Sequence, residues 1–191
     1  MDREPAATEG GRRPQLWHAA AVSFPPADAP TYPPVRYRGD AGERSARLRP
    51  AGTPPDLVGP ATEIGYLATA VQTDGEFGLY RYTMTGPPTG PGPHFHRTIS
   101  ESFFVLSGTV QLYDGGDWYD ATAGDFLHVP VGGVHAFRNA SGQRAEMLLL
   151  FAPGAPRESY FEANVARAAA GPELTDEERL AFLRAHDQYD A

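Results

Sequence analysis

The chain has 191 residues, enough for one compact body with extended arms, and its 41% hydrophobic content supports a sizeable core. A formal charge of −8, with no basic block beyond Arg12 and Arg13, argues against a nucleic-acid binder and favours small-molecule partners. Cysteine is absent, which excludes disulfides, thiolate zinc sites and thiol nucleophiles, so any metal must sit on histidine and carboxylate.

Residues 1–15 are small, polar and rich in Pro and Gly, too little apolar surface to offset ordering, and a disordered tail is expected there. Neither a signal-peptide h-region nor an apolar run of membrane-spanning length is visible, so a soluble, cytoplasmic protein is expected. Prolines recur from Pro25 to Pro60, and residues 16–61 read as a Pro-rich extended arm with room for an edge strand. Residues 62–155 change character. Short β-branched and aromatic runs such as "FGLYRYTM", "ESFFVLSG" and "EMLLLFA" alternate with turn signals and predict a mainly β sandwich or barrel. "YDGGDWY" at 113–119 predicts a hairpin turn in which both Gly115 and Gly116 take positive φ, and "ASGQRAE" at 140–146 predicts a second turn. Residues 156–191 read as a helical segment. Phe161, Val165 and Ala168 recur on one face, and Thr175 with Glu178 forms a capping-box pattern ahead of Leu180 and Leu183.

The chemistry concentrates between residues 94 and 139. On a strand, positions i and i+2 point the same way, so the two imidazoles of "HFH", His94 and His96, can share one ion. "RTIS" is long enough to turn and start a strand at Glu101, and His135, after the tight "PVGGV" turn, can approach from a neighbouring strand. Three imidazoles and a carboxylate suit a divalent first-row metal (Fe, Ni, Mn, Co, Cu or Zn). An octahedral ion so held keeps two positions for water, dioxygen or substrate oxygens. A lone strand histidine is more often a hydrogen-bonded structural residue than a ligand; the weight rests on the joint pattern.

That pattern resembles the two motifs of the cupin superfamily. "HFHRTISESFFVLSG" is similar to the first, HxH, four residues, Glu, six residues, Gly, ending at Gly108. "GDFLHVPVGGVHAFRN" is similar to the second, with Gly124, Pro130, Gly132, His135 and Asn139 in the signature positions. The departure lies upstream of His94, where Pro88 stands at the family's glycine position and Gly86 and Gly90 are nearby. The resemblance covers roughly residues 62–155 and implies a single double-stranded β-helix (jelly-roll) barrel between the N-terminal Pro-rich arm and the C-terminal helices. It implies one divalent transition metal held by His94, His96, Glu101 and His135, a structural role for Asn139, and a homodimer formed through the N-terminal arm.

Around that set, Phe103 and Val105 share the parity of Glu101, and Phe137 that of His135, which makes Phe103 and Phe137 candidate pocket walls. Tyr80 and Tyr82 share a parity with Met84, and either hydroxyl is a candidate to hydrogen-bond a substrate. His128 lies outside the motif and reads as structural, and Arg81 and Arg97 are candidate attractors for an anionic substrate. Glu101 doubles as the catalytic candidate, because a loosely held carboxylate can accept a proton from a bound hydroxyl. Flavonol-cleaving dioxygenases of the cupin group use this logic, and a single barrel followed by the tail "ESYFE" is similar to quercetin-dioxygenase-like proteins. The expected activity is a metal-dependent dioxygenase acting on an enolic or phenolic, flavonol-like small molecule. The alternatives are a redox-neutral metal-dependent isomerase or cyclase, and a non-catalytic small-molecule binder, since one fold hosts all three.

Overall fold

The computed structural model describes residues 32–86, 88–170 and 174–191. The expected tail 1–15, and the expected arm as far as residue 31, lie outside the described residues. The chain divides into two units, Met1–Ala46 and Arg47–Ala191. Described residues 32–46 of the first contain no helix or strand.

The second unit is built mainly of strands, as the alternating runs require. In chain order these are β1 (Leu57–Val58), β2 (Thr62–Ala68), β3 (Gly78–Met84), β4 (His94–Phe95), β5 (Ser100–Ser107), β6 (Thr109–Tyr113), β7 (Trp118–Thr122), β8 (Phe126–Val129), β9 (Ala136–Arg138) and β10 (Ala145–Ala152). Two helices, α1 (Arg157–Ala170) and α2 (Asp176–Ala185), precede a short strand β11 (Tyr189–Asp190). The main sheet has the order β1-β2-β3-β10-β5-β8, a second has β7-β6-β9, and β11 pairs with β4 alone. Neighbours in the main sheet run antiparallel. The interleaving of β10 between β3 and β5 is the chain crossing that a jelly roll demands.

The period of two fixes which face is inside. On β10, Ala145, Met147, Leu149 and Phe151 are buried while the residues between them are half-buried. On β5, Glu101, Phe103 and Val105 are buried and Phe104 is exposed. The buried apolar residues of both strands join Ile64, Tyr80, Met84, Val110, Leu112 and Phe137 in one continuous core. Each large apolar side chain removed from water there contributes about 1.5–3 kcal/mol. Glu101 therefore sits on the inner face because register puts it there, directly across from Phe151. A one-residue slip would turn it outward with its whole strand.

The turns follow the sequence with one correction. At the β6–β7 hairpin only Gly115 is in the left-handed region, at φ 95°, and Gly116 is not among the positive-φ residues. The Asp114 carboxylate accepts hydrogen bonds from the amides of Gly116 (2.8 Å) and Asp117 (2.9 Å), so the side chain does what a second left-handed glycine was expected to do. In the 140–146 turn, Asn139 accepts from Ser141 and donates to the Gln143 carbonyl, the structural role expected of it. Upstream of His94, Gly90 supplies the close approach: a Cβ there would fall 2.0 Å from the Phe137 carbonyl oxygen.

The helices close one side of the barrel. Tyr80 on β3 donates to Glu158 in the first turn of α1 (2.7 Å), and Phe161 packs edge-on against Tyr80 at 5.2 Å. The capping box at α2 is present, with Thr175 and Glu178 exchanging side chain to backbone hydrogen bonds. No helix among the described residues is long and apolar enough to cross a membrane.

Candidate metal centre

Strands β4 and β5 and the start of β9 bring the histidines and the glutamate to one point. His94 and His135 form an antiparallel bridge, each amide donating to the other's carbonyl at 2.9 Å. The Gly132 amide, in the turn before His135, donates to the His96 carbonyl at 2.8 Å, which ties that turn to the HxH segment. As a result one ligand atom from each of His94, His96, Glu101 and His135 lies within 4.8 Å of the others, and all four side chains are buried.

Every imidazole is oriented from behind. His94 Nδ1 faces the Gly92 carbonyl at 2.9 Å, His135 Nδ1 faces the Gly133 carbonyl at 3.0 Å, and His96 Nδ1 faces the Asp187 carbonyl. A carbonyl only accepts, so all three rings must carry their proton on Nδ1 and turn Nε2 towards the cluster. At the same time, one oxygen of Glu101 lies 3.1 Å from His96 Nε2 and 2.9 Å from His135 Nε2. A neutral imidazole has one N–H, yet both of these rings face an acceptor at each nitrogen. Either both rings become cationic in a buried place, or a divalent cation sits between lone pairs and carboxylate and satisfies them together. The residues fit a metal ion.

The electrostatics of the cluster follow from the same contacts. Burial by itself would raise the Glu101 carboxyl, but the hydrogen bonds from His135 and His96 outweigh it and hold the group well below the usual carboxylate range. His135 is affected in the opposite sense: burial disfavours its charged form, and the contact with Glu101 reverses this and raises it. His94, desolvated and beside His135, is lowered to about 4. At neutral pH the cluster offers a carboxylate and a neutral His94, the protonation states a metal takes.

The cluster opens into a cavity of about 360 Å³ lined in part by His94, Glu101, Tyr82, Phe137, Phe151 and Phe161. Val165 and Ala168 line it too, so the apolar face of α1 forms one wall. Of the four residues expected to contact a substrate, Tyr82 and Phe137 line this cavity, and their rings meet at 5.4 Å. The other two are corrections. Tyr80 is fully buried, and its hydroxyl is taken by Glu158 at a point that does not line the cavity. Phe103 packs beneath the cluster, 5.8 Å from the His135 ring and 5.6 Å from Phe137, and also does not line the cavity. Parity placed both residues inside, but interior positions of a small barrel are mostly packing. The arginines expected to draw in anions are engaged elsewhere: Arg81 pairs with Glu146 at 3.0 Å, and the Arg97 guanidinium stacks over Tyr189. His128 contacts Ser102, as a structural residue would.

Sequence reasoning missed the contribution of the residues after α2. Asp187 adopts φ 54°, a left-handed conformation uncommon outside glycine, and so turns its carbonyl towards His96. Its carboxylate accepts from the amides of Arg97 (3.1 Å) and Thr98 (2.9 Å) and from the Thr98 hydroxyl (2.6 Å), clasping the loop that links His96 to Glu101. Strand β11 then pairs Asp190 with His94. Arg157 and Gln188, also unforeseen, line the cavity from the helical side. The only sequence signal was a polar "HDQYD" directly following an amphipathic helix.

Comparison with known proteins gives the same answer. The family model "Cupin domain" matches residues 82–151. The chain is 31% identical over 90 residues to quercetin 2,3-dioxygenase of Bacillus subtilis (strain 168), covering 46% of this chain and 26% of that one. It is 26% identical over 93 residues to polyketide synthase CurC of Streptomyces cyaneus, covering 49% of this chain and 60% of that one. The chain thus spans less than two thirds of the length of these curated relatives. Among solved structures, a predicted oxalate decarboxylase from Thermotoga maritima superposes with a TM-score of 0.50 at 19% identity, covering 56% of this chain and 99% of that one, a likeness of fold. Strand order, both sequence motifs and the family match converge: the barrel that holds this histidine and glutamate cluster is a cupin domain.

Proposed function

We propose that this cupin is a metal-dependent dioxygenase for an enolic or phenolic small molecule. The observation that carries the reading is the opening of the buried His94/His96/Glu101/His135 cluster onto an aromatic-walled cavity, with His94 and Glu101 themselves in its lining. His94, His96, His135 and Glu101 would hold one divalent transition metal. Such an ion supplies Lewis acidity and, when redox-active, a route for electrons to dioxygen.

The chain's own residues do the rest. Glu101, held ionised at neutral pH, is placed to accept the proton of a substrate hydroxyl at a carboxylate oxygen. Tyr82, Phe137 and Phe161 confine a planar ring, and the half-closed apolar walls limit water around the deprotonated substrate. The match to quercetin 2,3-dioxygenase supports this choice of substrate class.

The test is oxygen uptake by protein reconstituted with iron, nickel, manganese, cobalt, copper or zinc in turn, against a panel of flavonols, 1,3-diketones and catechols. Substrate-dependent uptake with a redox-active metal, absent with zinc and absent in His96→Ala, is the expected result. Substrate conversion without uptake would instead favour a redox-neutral cyclase or isomerase, the reading that the match to polyketide synthase CurC supports.

A further inference from the structure

Two polar side chains in the cavity have unmet hydrogen-bonding capacity. Arg157, the first residue of α1, is 5% exposed, and Gln188, just before β11, is 4% exposed. Both line the same cavity as His94 and Glu101. Arg157 Nη1 donates to the His186 carbonyl at 2.8 Å, which fixes the guanidinium, while its buried Nε has no hydrogen-bond partner among the described residues. The buried carboxamide oxygen of Gln188 likewise has none.

The rest of the Arg157 environment is aromatic. Its guanidinium lies 4.2 Å from the ring centroid of Tyr160 and 5.0 Å from that of Phe151. Stacking of this kind holds the planar cation in place but meets no N–H in its own plane. No carboxylate of the described residues pairs with it; Glu101 acts on it only through space. Leaving a buried N–H or C=O unpaired is costly, and a buried unpaired charge costs more. Such groups persist where something else completes them, and both are at the wall of a cavity beside a candidate metal centre.

We propose that Arg157 and Gln188 form a substrate-recognition pair for a carboxylate-bearing hydroxy compound: Arg157 Nε donates to the carboxylate, and the Gln188 oxygen accepts from a hydroxyl beside it. This rests on reading the cavity as the substrate site, though not on any use of dioxygen. It narrows the substrate class from enols and phenols in general to acidic ones, such as aromatic hydroxy acids. Arg157 acts here in binding and orientation and is assigned no chemical step.

The experiment is a calorimetric titration with salicylate and with its neutral isostere salicylamide, on both zinc-loaded and chelator-treated protein. Wild type is expected to bind salicylate on the order of tenfold more tightly than salicylamide in both forms, the size of one charge-assisted hydrogen bond. In Arg157→Met that preference should collapse to about twofold or less, while salicylamide affinity changes little. Gln188→Glu puts a carboxylate into the same cavity wall as Arg157 and should likewise erase the preference by opposing the anion. Thermal melts identify folded variants; should Arg157→Met not fold, Gln188→Glu carries the test. The proposal is overturned if wild type shows no preference, if the preference persists in a folded variant, or if it appears only with zinc and is insensitive to Arg157. Because oxygen plays no part in the titration, a negative result here leaves the oxygen-uptake result to be judged by itself.

Discussion

The two sides of the cavity are built on different principles. The barrel side, from β4 to β9, brings His94, His96, Glu101 and His135 together from different sheets, with a bridge between His94 and His135 and a local backbone carbonyl behind each of those two rings. The helical side, from Arg157 to Asp190, contributes no cluster member. It supplies an apolar wall, two unpartnered polar groups and the one imidazole acceptor that is not local, the Asp187 carbonyl. The cluster thus belongs to the barrel, while the helical segment supplies part of the cavity wall and the carbonyl behind His96.

That division can be broken from either side, and the largest effect should come from the barrel. Glu101→Gln keeps the size of the side chain but removes the anionic oxygen shared by His96 and His135. It should lower metal affinity by at least about a hundredfold, read by competition with a chromogenic chelator. Ending the chain after His186 should cost less, about 10–100-fold, because it removes the carbonyl behind His96, the Asp187 clasp on Arg97 and Thr98 and the β11 pairing, but no member of the cluster. Equal losses in the two variants would show that the helical side holds the metal as strongly as the barrel does.

A smaller effect concerns acid stability. Burial would raise the Asp187 carboxyl, but its hydrogen bonds with Thr98 and Arg97 overcome this and depress it. A depressed folded-state value means stability that is fully present above the unfolded value of about 3.9 and is lost as pH falls through the folded one. Asp187→Asn keeps a residue tolerant of the left-handed conformation but removes the charge. Urea denaturation should give a constant stability gap to wild type between about pH 8 and pH 5 that shrinks below about pH 4. A gap that widens on acidification would contradict the assignment.

The smallest effect separates the two tyrosines of β3. Tyr80→Phe should cost about 1 kcal/mol through its lost bond to Glu158 and leave ligand affinity unchanged. Tyr82→Ala should weaken ligand binding, because Tyr82 is in the cavity wall. The sequence could place both tyrosines on the inner face, since parity is a property of the strand alone. Deciding which of them lines the cavity and which bonds Glu158 requires knowing where a helix from residue 157 comes to rest.

The same contrast governs what else was legible. His94, His96, Glu101 and His135 were readable because they fill the positions of two motifs that resemble those of the cupin superfamily, and strand geometry allows them to meet. Arg157 in "PRESYF" looks like an exposed first-turn residue of a helix, and nothing local indicates that it is buried against Phe151 and Tyr160. Asp187 was opaque for a similar reason: its role depends on a left-handed backbone in a non-glycine residue and on contacts far along the chain. Gly115 and Gly116 show a milder form, where two glycines suggest two unusual conformations and one aspartate makes the second unnecessary.

The hydrogen bond behind His96 joins residues 91 apart. At the usual pace of synthesis, roughly 5–20 residues per second, all three histidines and Glu101 leave the ribosome several seconds before Asp187 follows. Until then the His96 ring lacks the acceptor that fixes its Nδ1. The return of the chain onto β4 then acts as a latch in time: the orientation of His96 is completed only when the last residues fold back onto the barrel.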